Sequence, residues 1–118
     1  MSKVSAIQLN SGPNIKVNLY DVKTFIEQIA DIGSKMVVLP ENFALMPEND
    51  ADYIKHAEEL GDGQIQNYLS ELASSYKIWI VGGTIPIKSK DKDRVMASTI
   101  TYNEKGEQVS LYNKIHLF

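Results

Sequence analysis

The chain has 118 residues, of which 43% are hydrophobic, and it carries a formal net charge of −3. This length fits one domain and leaves no room for two. The hydrophobic share is enough for a packed core and too high for a disordered chain. Because the balance of charge is acidic, nucleic acid and anionic membranes, which need a basic protein face, are disfavoured as partners.

The absence of cysteine excludes further kinds of chemistry. With no cysteine in the sequence, the chain forms no disulfide, builds no thiolate metal site and offers no thiol nucleophile. The first residues lack the apolar core of a signal peptide, and no apolar run approaches the roughly 18 residues of a membrane span. These features predict a soluble, cytoplasmic protein.

The first third of the chain has the pattern of a strand, a helix and a second strand. Residues 4–9 predict a short strand, and residues 14–32 predict a helix because their apolar side chains recur at helical spacing. Gly33 supplies the helix stop. Residues 35–39 lack polar alternation, which is typical of a parallel strand covered on both faces.

The middle of the chain begins with a loop and a short helix. Proline and asparagine mark a loop over residues 46–50. We expect Asp50 or Asp52 to cap a short helix that ends near residue 59. The run Gly61-Asp62-Gly63 then predicts a turn.

A second long helix and another strand follow this turn. Residues 64–76 place apolar side chains on one helical face. Residues 78–81 are fully apolar and predict a strand, which we expect Gly82-Gly83 to end. Together these segments form a second helix-to-strand connection.

The last third of the chain changes to a hairpin pattern. A charged loop at residues 88–94 precedes a strand at residues 96–102, a turn at residues 103–106 and a partner strand at residues 107–115. The whole order predicts an α/β fold with a mixed sheet and helices packed on it. The helices are too few to cover both faces, so we expect an apolar face or edge to stay exposed unless the chain associates.

Glu41 is the first candidate for chemistry. An apolar strand delivers it, through Pro40, to the carboxyl end of a sheet strand, where α/β folds place functional groups. We expect its carboxylate to be partly buried among Phe43, Leu45 and Met46, which would suit a general base. The alternative is an acid that only braces the following loop.

Lys114 is the second candidate. It lies in a strand between aromatic and aliphatic residues, although lysine usually stays exposed. Held near a carboxylate, it could stabilise an oxyanion. The alternative is an edge-strand lysine that blocks aggregation. The two histidines, His56 and His116, have no paired ligand spacing, so we expect no metal site.

Two longer motifs resemble those of a known family. The run Val38-Leu39-Pro40-Glu41-Asn42-Phe43 resembles the glutamate motif of the nitrilase superfamily of carbon-nitrogen hydrolases, and Tyr112-Asn113-Lys114-Ile115-His116-Leu117-Phe118 resembles its lysine motif. The segments around Gln8, Gly61-Asp62-Gly63 and Gly82-Gly83-Thr84-Ile85-Pro86 also fall where that family has similar ones. The resemblance covers essentially the whole chain, and it is greatest to the amidases of ω-amides and of deaminated glutathione.

The resemblance implies an α-β-β-α sandwich and a Glu-Lys-Cys mechanism without metal or organic cofactor. Glu41 would be the general base and Lys114 would stabilise the tetrahedral intermediate, while a cysteine attacks a small amide or nitrile. In the family that cysteine lies downstream of the lysine. Residues 1–118 therefore resemble the N-terminal half of the domain, with a mixed sheet and helices on one face.

Two functional interpretations remain open from the sequence. In the first, the chain is part of an amide hydrolase, and it is inactive alone because the nucleophile is missing. In the second, it is a non-catalytic half-domain that forms a homo-oligomer or pairs with a complementary C-terminal half. The apolar run at residues 115–118 suggests that the chain is interrupted within the domain, whether naturally, by engineering or by proteolysis. A last strand that tucks into the sheet would also fit.

Overall fold

The computed structural model describes the backbone of residues 3–117 and the side chains of residues 3–114. The strands in this range are β1 (Lys3–Ala6), β2 (Ser34–Val38), β3 (Trp79–Lys88), β4 (Arg94–Tyr102) and β5 (Gln108–Leu117). The helices are α1 (Ile15–Asp31), α2 (Ala51–His56) and α3 (Gln64–Tyr76).

The strands form one sheet in chain order. β1, β2 and β3 pair in parallel, and β3, β4 and β5 pair antiparallel. Parallel neighbours need a crossover connection, which α1 supplies between β1 and β2, and α2 and α3 lie between β2 and β3. The predicted mixed sheet, with two parallel crossovers and a hairpin, is confirmed.

The core lies between the sheet and the two long helices, which contact each other and so share a face. The side chain of Asn14 caps α1 by accepting the amide hydrogen of Val17 at 3.2 Å. Val22 and Ile26 of α1, like Leu69 of α3, are fully buried. Side chains spaced three to four residues apart form one helical face, so the apolar periodicity of the sequence fixes which face of each helix meets the sheet.

The opposite face of the sheet is open. Along β2, Val37 is fully buried under the helices, whereas the next residue, Val38, is 38% exposed. Val4 of β1 is 64% exposed. Successive strand residues point to opposite faces, and the strand pairing puts four more apolar residues on this open face, Ala6, Met36, Trp79 and Val81. The expectation that an apolar sheet face stays uncovered in this chain is confirmed.

The strand boundaries differ from the predictions at two places. β1 ends at Ala6 rather than at residue 9, because its partner β2 gives way to Pro40, which has no amide hydrogen to pair. β3 does not end at Gly82-Gly83 but continues to Lys88, with an irregularity in its pairing with β4 between Gly82 and Ile85. The two glycines mark a bulge and a close approach of neighbouring groups, not a strand end.

The short helix α2 also differs from its prediction. It ends at His56, and the side chain of Asp50 makes no capping hydrogen bond. The chain beyond α2 pairs along β3 instead, since the Glu58 amide donates to the Pro86 carbonyl and the Glu58 carbonyl accepts from the Lys88 amide, both at 2.9 Å. This extended pairing leaves no residues to continue the helix to residue 59.

Glu58 caps the start of α3 from outside the helix. The helix is preceded by Gly63, which has no side chain to cap it. The carboxylate of Glu58 instead accepts the amide hydrogens of Ile65 at 2.6 Å and Gln66 at 3.2 Å. A negative charge at a helix N-terminus is favourable. Burial, and then the nearby charge of Glu58, raise the pKa of Tyr102 to about 12.

Replacing Glu58 with alanine should lower the free energy of unfolding by about 2 kcal/mol, because two helix amides lose a charged acceptor. Urea denaturation of the 118-residue chain measures this loss. Glu59→Ala is the matched control, since the Glu59 carboxylate only reaches an exposed Lys88 at 3.5 Å, and such a pair contributes little. Equal losses in the two variants would contradict the capping role.

None of the helices between residues 3 and 117 is long and apolar enough to cross a membrane.

Candidate active site

The turn that carries Glu41 lies against the bulge of β3. Leu39 still pairs with that strand, its amide donating to the Val81 carbonyl at 2.9 Å. Beyond Pro40 and Glu41, the amide of Asn42 donates to the Thr84 hydroxyl at 2.9 Å. Asn42 has a φ of +53°, in the left-handed region that asparagine tolerates better than most residues. The backbone on the C-terminal side of Glu41 is therefore held by a side chain of β3.

Gly83 provides the surface on which this turn sits. A Cβ atom at residue 83 would overlap the carbonyl oxygen of Pro40 and lie 2.7 Å from its carbonyl carbon and 3.0 Å from the Leu39 oxygen. No real side chain fits in that space, so glycine is required there for steric reasons. The backbone on the N-terminal side of Glu41 is thus in direct contact with β3.

A buried asparagine fixes the chain beyond Glu41. Asn18 of α1 is 4% exposed. Its amide nitrogen donates to the carbonyls of Ala44 and Gly12, both at 2.8 Å, and its carbonyl oxygen accepts the Gly12 amide at 3.1 Å. Ser11 donates its hydroxyl to the Phe43 carbonyl at 2.6 Å. Hydrogen-bonded buried polar groups are costly to disturb, so this network anchors the loop.

Sequence reasoning missed Asn18. The sequence does contain a signal for its burial, because Asn18 lies four residues before Val22 and eight before Ile26, on the buried face of α1. A polar residue in a buried stripe must find hydrogen-bond partners.

The expected burial of Glu41 is wrong for this chain. Glu41 is exposed, so the apolar residues that follow it leave its carboxylate uncovered. Phe43 packs into the core with none of its surface exposed, and Met46 is itself 47% exposed. Neither Phe43 nor Met46 therefore shields the acid.

Lys114 lies on β5, at the edge of the sheet. It is paired with Ala97 of β4, and the neighbours of Ala97 along that strand include the fully buried Ser98 on the helix side. Directly paired residues share a face, so Lys114 belongs to the open face. The lysine is exposed, and its edge position keeps the aggregation-blocking alternative open.

The remaining part of the lysine motif is described only in its backbone. Ile115 and His116 continue the pairing with β4. Phe118, the last residue of the motif, lies outside the described residues.

The structure attaches both candidate residues to the β3–β4 hairpin but does not join them. Glu41 is held through Gly83 and Thr84 of β3, and Lys114 through its pairing with β4. The carboxylate and the ammonium form neither a hydrogen bond nor an ion pair with each other. A carboxylate, which can accept a proton, and an ammonium cation are therefore attached to the same sheet. The strands β3 and β4 set the distance between them.

An open hollow lies beside the Glu41 turn. Its volume is about 460 Å³, and it is lined by Gln8, Leu9, Asn10 and Pro40. These residues follow the carboxyl ends of β1 and β2, which is where open α/β sheets bind ligands. The hollow therefore adjoins Pro40, the residue before the exposed Glu41.

Comparison with known proteins assigns the class. The family model described as carbon-nitrogen hydrolase matches residues 3–118. The chain is 36% identical over 118 residues to the deaminated glutathione amidase of Yersinia enterocolitica, covering 99% of this chain and 41% of that protein. It is 35% identical over 122 residues to omega-amidase NIT3 of Saccharomyces cerevisiae, covering 98% of this chain and 42% of that protein. The chain belongs to the carbon-nitrogen hydrolase family.

Solved structures agree with this assignment. Nit3 of Saccharomyces cerevisiae, a member of branch 10 of the nitrilase superfamily, superposes with a TM-score of 0.83 at 32% identity, over 98% of this chain and 44% of that one. The NitFhit protein of Caenorhabditis elegans gives a TM-score of 0.86 at 26% identity, over 100% of this chain and 30% of that one. The predicted fold and superfamily are confirmed, and the chain spans less than half the length of these relatives.

Proposed function

We propose that this chain supplies the base and the oxyanion-stabilising cation of an amidase that cleaves a small amide, with the nucleophile provided by a segment beyond residues 1–118. The observation that carries the proposal is the Glu41 turn, which is fixed at the carboxyl end of β2 by contacts on both sides. The relatives named omega-amidase and deaminated glutathione amidase support a terminal amide of a small carboxylic acid as the substrate class.

The proposed reaction assigns one role to each group. Glu41 accepts the proton of a cysteine thiol as the sulfur bonds to the amide carbon, and Lys114 stabilises the oxyanion that forms. The carbon–nitrogen bond then breaks, the leaving nitrogen takes the proton, and ammonia departs. Water, deprotonated by Glu41, next cleaves the thioester to the carboxylic acid and restores the thiol. The chain contains no cysteine, so we expect it to perform neither half-reaction alone.

A fusion protein tests this proposal. Residues 1–118 would replace the matched 122 residues of the Saccharomyces cerevisiae omega-amidase NIT3, which leaves the rest of that protein intact. We expect the fusion to release ammonia from the monoamide of a dicarboxylic acid, while the 118-residue chain releases none above buffer. Turnover by the chain alone, abolished by Glu41→Gln, would refute the need for a separate nucleophile.

The open sheet face favours a second role, in which the chain associates with itself or with a complementary half. Contiguous apolar surface of this kind is unusual on a monomer. We propose that this face is where the remaining part of the domain packs, and that a second copy can occupy it when that part is absent.

If the chain associates through the open face, a charged substitution on that face should reduce the association. We expect the chain to bind a fluorescent hydrophobic probe and to scatter light as a dimer or larger species, and Val38→Glu to reduce both signals. Val17→Glu is the matched control, since Val17 is 53% exposed on α1. A monomeric, probe-silent chain, or equal responses from the two variants, would contradict the association.

A further inference from the structure

Ser98 and Thr99, neighbours on β4, each donate a hydrogen bond to a residue close to one of the two candidate catalytic residues. Thr99 donates its hydroxyl to the carbonyl of Gly83. Ser98, which is fully buried, donates its hydroxyl to the side-chain oxygen of Asn113 at 2.6 Å. Asn113 immediately precedes Lys114, and Gly83 is the residue against which Pro40 packs.

The geometry of a strand explains how one dipeptide reaches both places. Consecutive strand residues project to opposite faces, so Ser98 reaches β5 on the helix side and Thr99 reaches β3 on the open side. The Thr99 bond fixes the bulge carbonyl at Gly83, and the next residue, Thr84, accepts the amide of Asn42. A displacement of the bulge would therefore be transmitted to the Glu41 turn through two direct contacts.

We propose that Ser98 and Thr99 are positioning residues that set the placement of Glu41 relative to Lys114. This inference rests on the proposed function, because the two hydroxyl groups act on the reaction only by positioning Glu41 and Lys114. Neither hydroxyl touches the reacting atoms. Each holds a backbone or side-chain group next to a candidate residue, and the rigid pairing of β4 with both neighbours relates the two.

A purely structural role makes a different prediction from positioning. If Thr99 only satisfies a bulge carbonyl, its loss weakens the sheet as a whole. If it positions the turn, its loss loosens Asn42 while the adjacent paired strands keep their protection. The amide of Ile7, which donates to the Val38 carbonyl of β2 at 3.1 Å, reports on those strands away from the bulge.

Amide hydrogen exchange in the 118-residue chain separates the two. Thr99→Val keeps the β-branched shape and removes the hydroxyl, so we expect the Asn42 amide to exchange about fivefold faster or more, the effect of one lost hydrogen bond. The Ile7 amide should not change, and Thr99→Ser should restore the exchange rate of Asn42. Thr101→Val is the matched control, because Thr101 shares the strand and face of Thr99.

The outcomes decide the inference. An unchanged Asn42 rate in Thr99→Val, an equal change at Ile7, or the same effect from Thr101→Val would overturn it. For the other half of the pair, Ser98→Ala should shift the side-chain amide resonance of Asn113 and leave the Asn42 rate unchanged. An unmoved Asn113 resonance would overturn the role of Ser98.

Kinetics in the fusion protein links the pair to the reaction. Thr99→Val should lower kcat with little change in KM, and Thr101→Val should change neither. If the unsubstituted fusion is inactive, the proposed function fails while the exchange rates still decide whether Thr99 fixes the turn. If the fusion is active and Thr99→Val retains full kcat, the positioning role alone fails.

Discussion

Replacing Gly83 with alanine is expected to destabilise the chain by about 3 kcal/mol or more, the range of severe overpacking. The added Cβ would overlap the Pro40 carbonyl and crowd the Leu39 oxygen. These are backbone atoms of a paired segment, so they cannot rotate away as a flexible side chain would. The φ of Gly83 is +22°, a region that residues with a Cβ rarely adopt. Both causes act on the turn that carries Glu41.

Urea denaturation compares this variant with Gly12→Ala. A Cβ at residue 12 would meet nothing within 4 Å, so we expect its free energy of unfolding to stay within about 0.5 kcal/mol of the original. In Gly83→Ala, the loss should be accompanied by altered amide resonances of Asn42. Similar stabilities for the two variants would show that the Pro40 turn can move aside at little cost.

The parts of the fold that the sequence predicts well are those with local periodicity. Helix α3 begins and ends where residues 64–76 were expected, because its apolar spacing and the preceding glycine turn act within a few residues. The hairpin of β4 and β5 follows from its turn residues in the same way. Its tip also docks on α3, where Ser70 donates to the Gly106 carbonyl at 2.6 Å.

The errors come from contacts between distant segments. The sequence predicts a strand end at Gly82-Gly83, but glycine is needed there because Leu69 approaches Gly82 and Pro40 approaches Gly83. No local pattern carries that information. The same holds for Glu58, whose capping role follows only from the side-chain-free Gly63 before α3 and from a chain path that brings the acid back to it.

The position of Glu41 in the fold was predictable, but its exposure was not. The apolar run before it predicts a strand, and Glu41 follows the carboxyl end of β2, although the helices cover only one face of that strand. Burial of the carboxylate depends instead on what covers the turn, and the open face leaves that side of the sheet uncovered. In the proposed domain, the part that supplies the cysteine would also cover this side.

Substituting the two candidate catalytic residues should give the largest effects on activity. In the fusion protein, Glu41→Gln keeps the size of the side chain and removes the base, so we expect kcat to fall about 10²- to 10⁴-fold. Lys114→Gln removes the cation and should cost about 10²- to 10³-fold. Both residues are exposed in the chain, so their free energies of unfolding should change by less than about 0.5 kcal/mol.

Matched substitutions distinguish catalysis from the simpler structural alternatives. Glu48 is an exposed carboxylate in the same loop, and Glu48→Gln should leave kcat unchanged, whereas an acid that only braces the loop would make Glu41→Gln unstable rather than inactive. An edge-blocking lysine would make Lys114→Gln aggregate while its soluble fraction kept full kcat. A stable, soluble and inactive protein in both cases is the result that only the catalytic assignment predicts, because a bracing acid would cost stability and an edge-blocking lysine would cost solubility.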